Sequence, residues 1–160
     1  MSSVLNFGKH DGATLVEIVF SDPAWFNWAM ANRVFFDRGG RPLQTEAEEI
    51  WHKAQYIRIP DNDANDLQAA YYYQGWNRKF MDLMIVPNGD PEEHADLLDV
   101  LDLAYVCQFQ RDGKGNKLLV TAIKRILFGK GARPSREKLE QFFADPANFD
   151  LPSPMKQAAE

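Results

Sequence analysis

The chain of 160 residues has one cysteine, three histidines and no long hydrophobic run. Because Cys107 is alone, it cannot form an internal disulfide, and its apolar neighbours favour a buried small side chain over a nucleophile. No stretch approaches the roughly 18 consecutive apolar residues of a membrane helix, and the N-terminus lacks the basic and apolar regions of a secretion signal. We therefore expect a soluble, cytoplasmic protein with no membrane partner.

Motifs of common catalytic and cofactor sites are also missing. No G-x-G-x-x-G follows a predicted strand, and no serine or cysteine has an activating neighbour. His94 and Asp99 lie about 140° apart around the helix predicted for residues 92–105, so they cannot share a metal ion. Asp61 and Asp63 lack the glycine and glutamate that complete a calcium loop. We expect no cofactor, no metal and no catalytic residues, with an enzyme of unknown class as an alternative.

The two signs of charge are unevenly distributed along the chain. The net charge is −5, yet residues 80–110 contain seven acids and no lysine or arginine. Residues 111–138 contain only two acids and a series of basic residues: Arg111, Lys114, Lys117, Lys124, Arg125, Lys130, Arg133, Arg136 and Lys138. Adjacent blocks of opposite charge either attract each other within a fold or divide its surface into two faces.

Capping signals predict two short helices near the N-terminus. Residues 4–7 form a candidate strand that ends at a glycine-rich turn. Thr14, with Glu17 three residues later, completes a capping-box pattern at the start of one helix. Asp22 and Pro23 form a cap-and-proline pattern at the start of the next helix.

The middle of the chain predicts one helix and one hairpin. We expect a loop at residues 36–42, a helix over 46–57, a polar loop at 60–66, and two antiparallel strands at 67–74 and 78–87. Trp76 lies at the tip of this hairpin. The strands are rich in aromatic and β-branched residues, which favour a sheet over a helix.

Helical periodicity dominates the last part of the chain. It predicts an acidic amphipathic helix over residues 92–105, a basic amphipathic helix over 117–128, and a last short helix over 136–144. We expect one α+β domain over residues 1–149, with a small antiparallel sheet and a hairpin covered by several short helices. Residues 150–160 predict a flexible C-terminal tail.

One segment near the N-terminus carries a family resemblance. The residues that form the pattern are Phe7, Gly8, Lys9, His10, Gly12, Thr14, Leu15, Glu17, Ile18 and Trp28. Residues 4–33 thereby resemble the small C-terminal module of exodeoxyribonuclease X-like proteins, which also occurs in uncharacterised phage and bacterial proteins. The resemblance implies association with nucleic acid or with enzymes that process it, and no catalysis by the module itself.

The glycine-rich turn inside this segment has two interpretations. Asp11 and Ala13 occupy positions that are basic in the family, so phosphate binding at the turn depends on Lys9 alone. We favour a structural turn, in which the glycines adopt positive φ and the lysine is solvated.

Basic residues late in the chain form the main candidate site. Lys117, Lys124 and Arg125 share one face of the predicted helix, with Lys114 before it and Lys130 and Arg133 after it. Such a stripe could follow a phosphate backbone and release counterions. Trp76 could stack on a base at the hairpin tip, and Lys9 completes the set of candidate nucleic-acid-binding residues.

These observations favour a small, non-catalytic accessory protein of phage or bacterial mobile-element type. We expect it to bind DNA, RNA or a nucleic-acid-processing enzyme through the basic surface. The alternative is a protein-interaction module, such as a homodimer in which the acidic helix of one copy meets the basic helix of the other. A third possibility is that the basic residues are only solvated, or that they pair with the acidic helix of their own chain. They would then bind neither nucleic acid nor a protein partner.

Overall fold

The computed structural model describes residues 1–89, 91–109 and 112–152. The helices are α1 (Leu15–Val19), α2 (Pro23–Ala31), α3 (Val34–Ala54), α4 (Gly113–Phe128) and α5 (Arg136–Ala144), with 3-10 turns at Val106–Gln108 and Pro146–Asn148. The strands are β1 (Ile57–Arg58), β2 (Leu67–Tyr73), β3 (Phe80–Pro87), β4 (Ala95–Leu98) and β5 (Val100–Leu101). They form two antiparallel sheets, in the orders β3-β2-β4 and β1-β5. The predicted α+β class is confirmed.

The two short N-terminal helices begin where the capping signals predict. The Thr14 side chain accepts a hydrogen bond from the Glu17 N–H, and the Glu17 carboxylate accepts one from the Thr14 N–H. Asp22 accepts from the Trp25 N–H at 3.2 Å, and Pro23 occupies the first helical position of α2. Local hydrogen bonds therefore fix both helix starts.

Two predictions in the same region are wrong. Residues 4–7 contribute only a single bridge between Val4 and Thr14, because the turn carries the chain into α1 after one pairing. The loop predicted at residues 36–42 belongs to α3, which is interrupted by a kink at Gly40 with φ of 71°. Glycine adopts this φ without strain, and Pro42 is tolerated in the first turn after the kink, so the helix resumes instead of ending.

The acidic segment forms strands, so the helix predicted for residues 92–105 is wrong. Its residues form β4, which pairs with the central strand β2, and β5, which pairs with β1. The buried Tyr71 hydroxyl donates to the Val100 carbonyl at 2.7 Å and accepts from the Asp102 N–H at 2.8 Å. These contacts between distant segments outweigh the helical pattern. The self-association hypothesis therefore loses the acidic helix that it requires.

The hydrophobic core joins the helices to the sheets. Its largest fully buried side chains are Tyr71, Phe20, Phe26, Phe35, Leu15, Ile18, Ile57, Ile59, Leu83, Leu101, Leu103 and Leu119. The Phe20 ring, at the end of α1, meets the rings of Phe128, Phe142 and Phe143 with centroids 5.6–6.1 Å apart. This aromatic cluster connects α1 to α4 and α5.

The predicted C-terminal tail falls mostly outside the described residues, which end at residue 152. Asp150 is described, and its N–H donates to the Tyr56 carbonyl at 2.8 Å. Its carboxylate accepts from the Arg58 guanidinium at 2.7 Å. The start of the segment predicted as a tail is thus attached to β1 and the residue before it.

The predicted hairpin, basic helix and last helix are confirmed, and one carboxylate joins the first two. α4 begins at Gly113, earlier than predicted, because Asp112 caps it by accepting from the Gly115 N–H at 2.8 Å. The second oxygen of Asp112 accepts from the Phe80 N–H, at the start of β3, at 3.1 Å. The first turn of the basic helix is therefore fixed against the hairpin.

We expect Asp112→Ala to lower the free energy of unfolding by about 1–3 kcal/mol, because it removes a helix cap and leaves the Phe80 N–H without its acceptor. Asp63→Ala is the matched control: this carboxylate is exposed in a loop, and we expect a change within about 0.5 kcal/mol. Urea unfolding of both variants measures the difference. Equal stability of the two variants would contradict this role of Asp112.

Candidate nucleic-acid interface

The outer face of α4 carries a row of lysines. Lys114 and Lys117 are exposed and Lys124 is half-buried. The three positions fall within an arc of about 80° at 3.6 residues per turn, and they span about 15 Å at the usual rise per residue. Leu119 and Ile123, on the opposite side of α4, are buried in the core. The predicted inward face is confirmed at Leu119 and Ile123 and the outward face at Lys117, while Lys124 is only partly exposed.

The row of lysines has no internal counterion within the described part of the chain. There, no carboxylate lies within 4.0 Å of the amines of Lys114, Lys117, Lys124 and Lys130 or of the Arg133 guanidinium. Lys130 and Arg133 are exposed and follow the C-terminal end of α4. Burial lowers the pKa of the Lys124 ammonium from its ordinary value. Arg111 lies outside the described residues.

Arg125 is engaged with the sheet, although it was predicted to belong to the same stripe. Its guanidinium donates to the Leu83 carbonyl at 3.3 Å and lies 3.9 Å from the Asp82 carboxylate. Asp82 in turn accepts from the Leu83 N–H at 2.8 Å. Because β3 is an edge strand, these side chains occupy backbone groups that another strand could bind. Arg125 therefore has a structural role at the sheet edge.

Trp76 stands beside the first turn of α4. It is 85% exposed at the tip of the β2–β3 hairpin, as predicted. A groove of about 380 Å³ separates the tip from the helix, and its lining includes Trp76, Lys79, Met81, Lys114 and Leu118. Trp76 and Lys114, which were predicted from two separate segments, thus meet in one groove. Lys79 is a residue that the sequence analysis did not select, although it follows Trp76 closely.

Arg78 holds the hairpin tip in place. Its guanidinium lies 4.3 Å from the ring centroids of both Tyr73 and Phe109. It also donates to the Asp96 carboxylate, which accepts a second hydrogen bond from the Tyr105 hydroxyl. Each cation–π contact of this kind contributes about 0.5–2 kcal/mol. Arg78 therefore binds within the protein, and the tip that carries Trp76 is anchored to β4 and to the segment after β5.

The glycine-rich turn is closed by internal contacts. Lys9 Nζ and His10 Nε2 each lie 3.0 Å from the same oxygen of Asp22. Burial alone would raise the pKa of Asp22, but the hydrogen bonds from Lys9 and His10 contribute to a net lowering. The Gly12 carbonyl accepts from Arg136 at 2.6 Å, and both glycines of the turn have positive φ, of 70° and 89°. The Asp22 carboxylate therefore lies beside Lys9, where a bound phosphate would have to lie.

A second groove lies on the other side of Asp112. It has a volume of about 560 Å³, and its lining includes Lys9, Trp25, Trp28, Phe109 and Asp112. Trp28 is 51% exposed, while the buried residues of α2 are Pro23, Phe26 and Ala29. The sequence analysis placed Trp28 in the family pattern without selecting it as a binding residue.

A third cavity, of about 530 Å³, contains the strongest candidate for acid–base chemistry. Its lining includes Asp96, Asp102 and Tyr105. Burial raises the pKa of Asp102 to about 6. One oxygen of Asp102 accepts from the Ala104 N–H at 2.8 Å and the other from the Gln108 amide at 3.1 Å. These bonds close the turn after β5, which gives this carboxylate a structural role.

Neither metal binding nor thiol chemistry is evident in the residues that the structure describes. Among them, no three His, Cys, Asp or Glu side chains are grouped so that they could hold a metal ion. Burial raises the pKa of the Cys107 thiol to about 12, and its sulfur lies 3.7 Å from the Asn116 side-chain oxygen. Because the thiolate is the nucleophile, the raised pKa lowers the reactivity of this cysteine near neutral pH.

Comparison with known proteins gave no match: no family model, no curated protein and no solved structure matches this chain. Within the described ranges, no helix is both long and apolar enough to cross a membrane. In the candidate site, the row of lysines on α4 adjoins a groove with an exposed tryptophan.

We expect Asp102→Asn to gain stability relative to the unsubstituted protein as the pH rises from 4 to 7. The folded-state pKa of about 6 exceeds the unfolded value of about 3.9, so the folded protein binds more protons in this range and loses stability as the pH rises. Asparagine does not titrate. The difference in unfolding free energy between the two proteins should shift by about 1–3 kcal/mol in favour of the variant. Urea unfolding at both pH values measures it, and a difference that does not vary with pH would contradict the prediction.

Proposed function

We propose that this chain is a non-catalytic nucleic-acid-binding protein that contacts the sugar–phosphate backbone through the outer face of α4. The observation that carries the proposal is the row formed by Lys114, Lys117 and Lys124, which has no carboxylate within 4.0 Å among the described residues. Ammonium groups without an internal counterion bind phosphates favourably, because binding releases the cations condensed on the nucleic acid.

The net charge of −5 is compatible with this proposal. Exposed charges are screened over about 8–10 Å at moderate salt, so a phosphate beside α4 responds mainly to the lysines nearest to it. Negative charge elsewhere on the surface repels a nucleic acid from other orientations. The charge distribution therefore favours one binding face over general adhesion.

The family resemblance of residues 4–33 supports the same proposal. It implies association with nucleic acid or with enzymes that process it, as in an accessory protein of phage or bacterial mobile-element type. Two residues of that segment, Lys9 and Trp28, line the groove that Asp112 also lines at the start of α4. The resemblance and the lysine row thus point to neighbouring surfaces.

We expect Lys117→Glu to weaken binding to labelled DNA and RNA, and Lys117→Glu/Lys124→Glu to weaken it by at least about tenfold at low salt. The slope of log K against log salt is negative, and each phosphate contact makes it steeper by about 0.7–0.9. The magnitude of this slope should therefore fall by about 1.5 in the double variant. Fluorescence anisotropy over a series of salt concentrations measures both quantities.

Arg41→Glu provides the matched control for the single variant. Arg41 is an exposed residue on α3, and the substitution changes the net charge by the same amount. We expect its effect to be within about twofold, because distant charges are screened. The proposal fails if the unsubstituted protein binds no nucleic acid at low salt, or if Lys117→Glu and Arg41→Glu lower the affinity equally.

A further inference from the structure

We propose that the groove between the hairpin tip and α4 holds one nucleotide of a single strand, with the base against the Trp76 indole and the phosphate between Lys79 and Lys114. The inference rests on the proposed function and specifies the form of nucleic acid that the site prefers. Three properties of the groove support it: an exposed aromatic surface, a fixed hairpin tip and a cationic rim.

The aromatic surface is Trp76 itself, which is 85% exposed. A single exposed apolar side chain is ordinary in a folded protein. Here, however, the same groove also contains Met81 and Leu118, which are 50% and 40% exposed. The groove therefore has apolar walls that remain in contact with water in the isolated chain.

The hairpin tip is held by backbone and side-chain contacts. The Gln74 N–H donates to the Lys79 carbonyl at 2.9 Å, and the Arg78 N–H donates to the Gln74 carbonyl at 2.8 Å. The Arg78 guanidinium, between the rings of Tyr73 and Phe109, attaches the tip to neighbouring segments. Because the backbone beside Trp76 is already ordered, stacking a base on the indole costs less conformational entropy than it would on a mobile loop.

The rim of the groove supplies positive charge. Lys79 and Lys114 both line it and are exposed, and in the described ranges no carboxylate lies within 4.0 Å of either amine. Asp112 also lines the groove, but its two oxygens accept hydrogen bonds from the backbone N–H groups of Gly115 and Phe80.

The charge and the aromatic surface together select single strands. An aromatic platform with cations beside it is the arrangement that proteins use for unpaired nucleotides. In a duplex the bases are stacked on one another and cannot reach the indole. A duplex can therefore use the lysines of α4 but not Trp76.

The experiment compares Trp76→Ala with the unsubstituted protein on three labelled probes: an oligothymidylate, an oligouridylate and a duplex of the same length, at one salt concentration. We expect the unsubstituted protein to bind one or both single strands at least about tenfold more tightly than the duplex. Loss of one stacked base is worth about 1–3 kcal/mol, so Trp76→Ala should weaken single-strand binding by about 5- to 150-fold. Trp76→Phe, which keeps an aromatic face, should restore part of this loss.

Phe36→Ala controls for the loss of an exposed aromatic side chain elsewhere, since Phe36 is 37% exposed on α3. We expect it to leave single-strand affinity unchanged. Binding of a single strand should also quench tryptophan emission in the unsubstituted protein, and Trp76→Phe should remove most of the quenching.

Failure of the inference differs from failure of the proposed function. The inference is wrong if the unsubstituted protein binds single strands and duplex with equal affinity. It is also wrong if Lys117→Glu weakens binding and Trp76→Ala does not. In both cases the proposed function still stands. If the unsubstituted protein binds none of the three probes at low salt, both are wrong. Thermal unfolding of Trp76→Ala verifies that the variant is folded.

Discussion

The Asp112 carboxylate determines where the basic helix lies relative to the hairpin. One of its oxygens binds the first turn of α4 and the other binds the first residue of β3. A Cβ atom at Gly115 would lie 2.1 Å from Asp112 Oδ2, so this contact requires glycine at that position. One side chain thus connects the helix that carries the lysine row to the hairpin that carries Trp76. The burial of Leu119 and Ile123 and the contact of Arg125 with the Leu83 carbonyl hold the rest of α4 in place.

The acidic and basic segments of the sequence have different partners in the fold. Carboxylates of the acidic segment bind partners around the sheet: Asp96 binds Arg78, Asp99 accepts from Gln68 at 3.0 Å, and Asp102 closes the turn after β5. As members of strands and turns, these acids face the hairpin and the 3-10 turn and form no ion pair with the α4 lysines. Among the described residues, the lysine row therefore has no ion-pair partner from the acidic segment.

The two capped N-terminal helices and the hairpin were predictable from local signals, whereas the strands of the acidic segment, which depend on distant contacts, were not. Thr14 and Asp22 mark their helices through hydrogen bonds to residues three positions away, and the turn residues around Trp76 mark the hairpin. The acidic segment has helical periodicity, but its pairing with β2 depends on Tyr71, which lies far away in the sequence. The exposure of Lys117 could be predicted because it depends only on the periodicity of one helix. The Trp76 groove and the contact of Arg125 with β3 could not, because each is formed by two segments that are separate in the sequence.

The high pKa of Cys107 has a practical consequence. A protonated, half-buried thiol reacts slowly with oxidants and alkylating reagents. We therefore expect Cys107 to cross-link chains more slowly than an exposed cysteine would. A cysteine introduced at an exposed site would react much faster than the natural one, so a dye or a covalent trap can be attached at a chosen position without first removing Cys107.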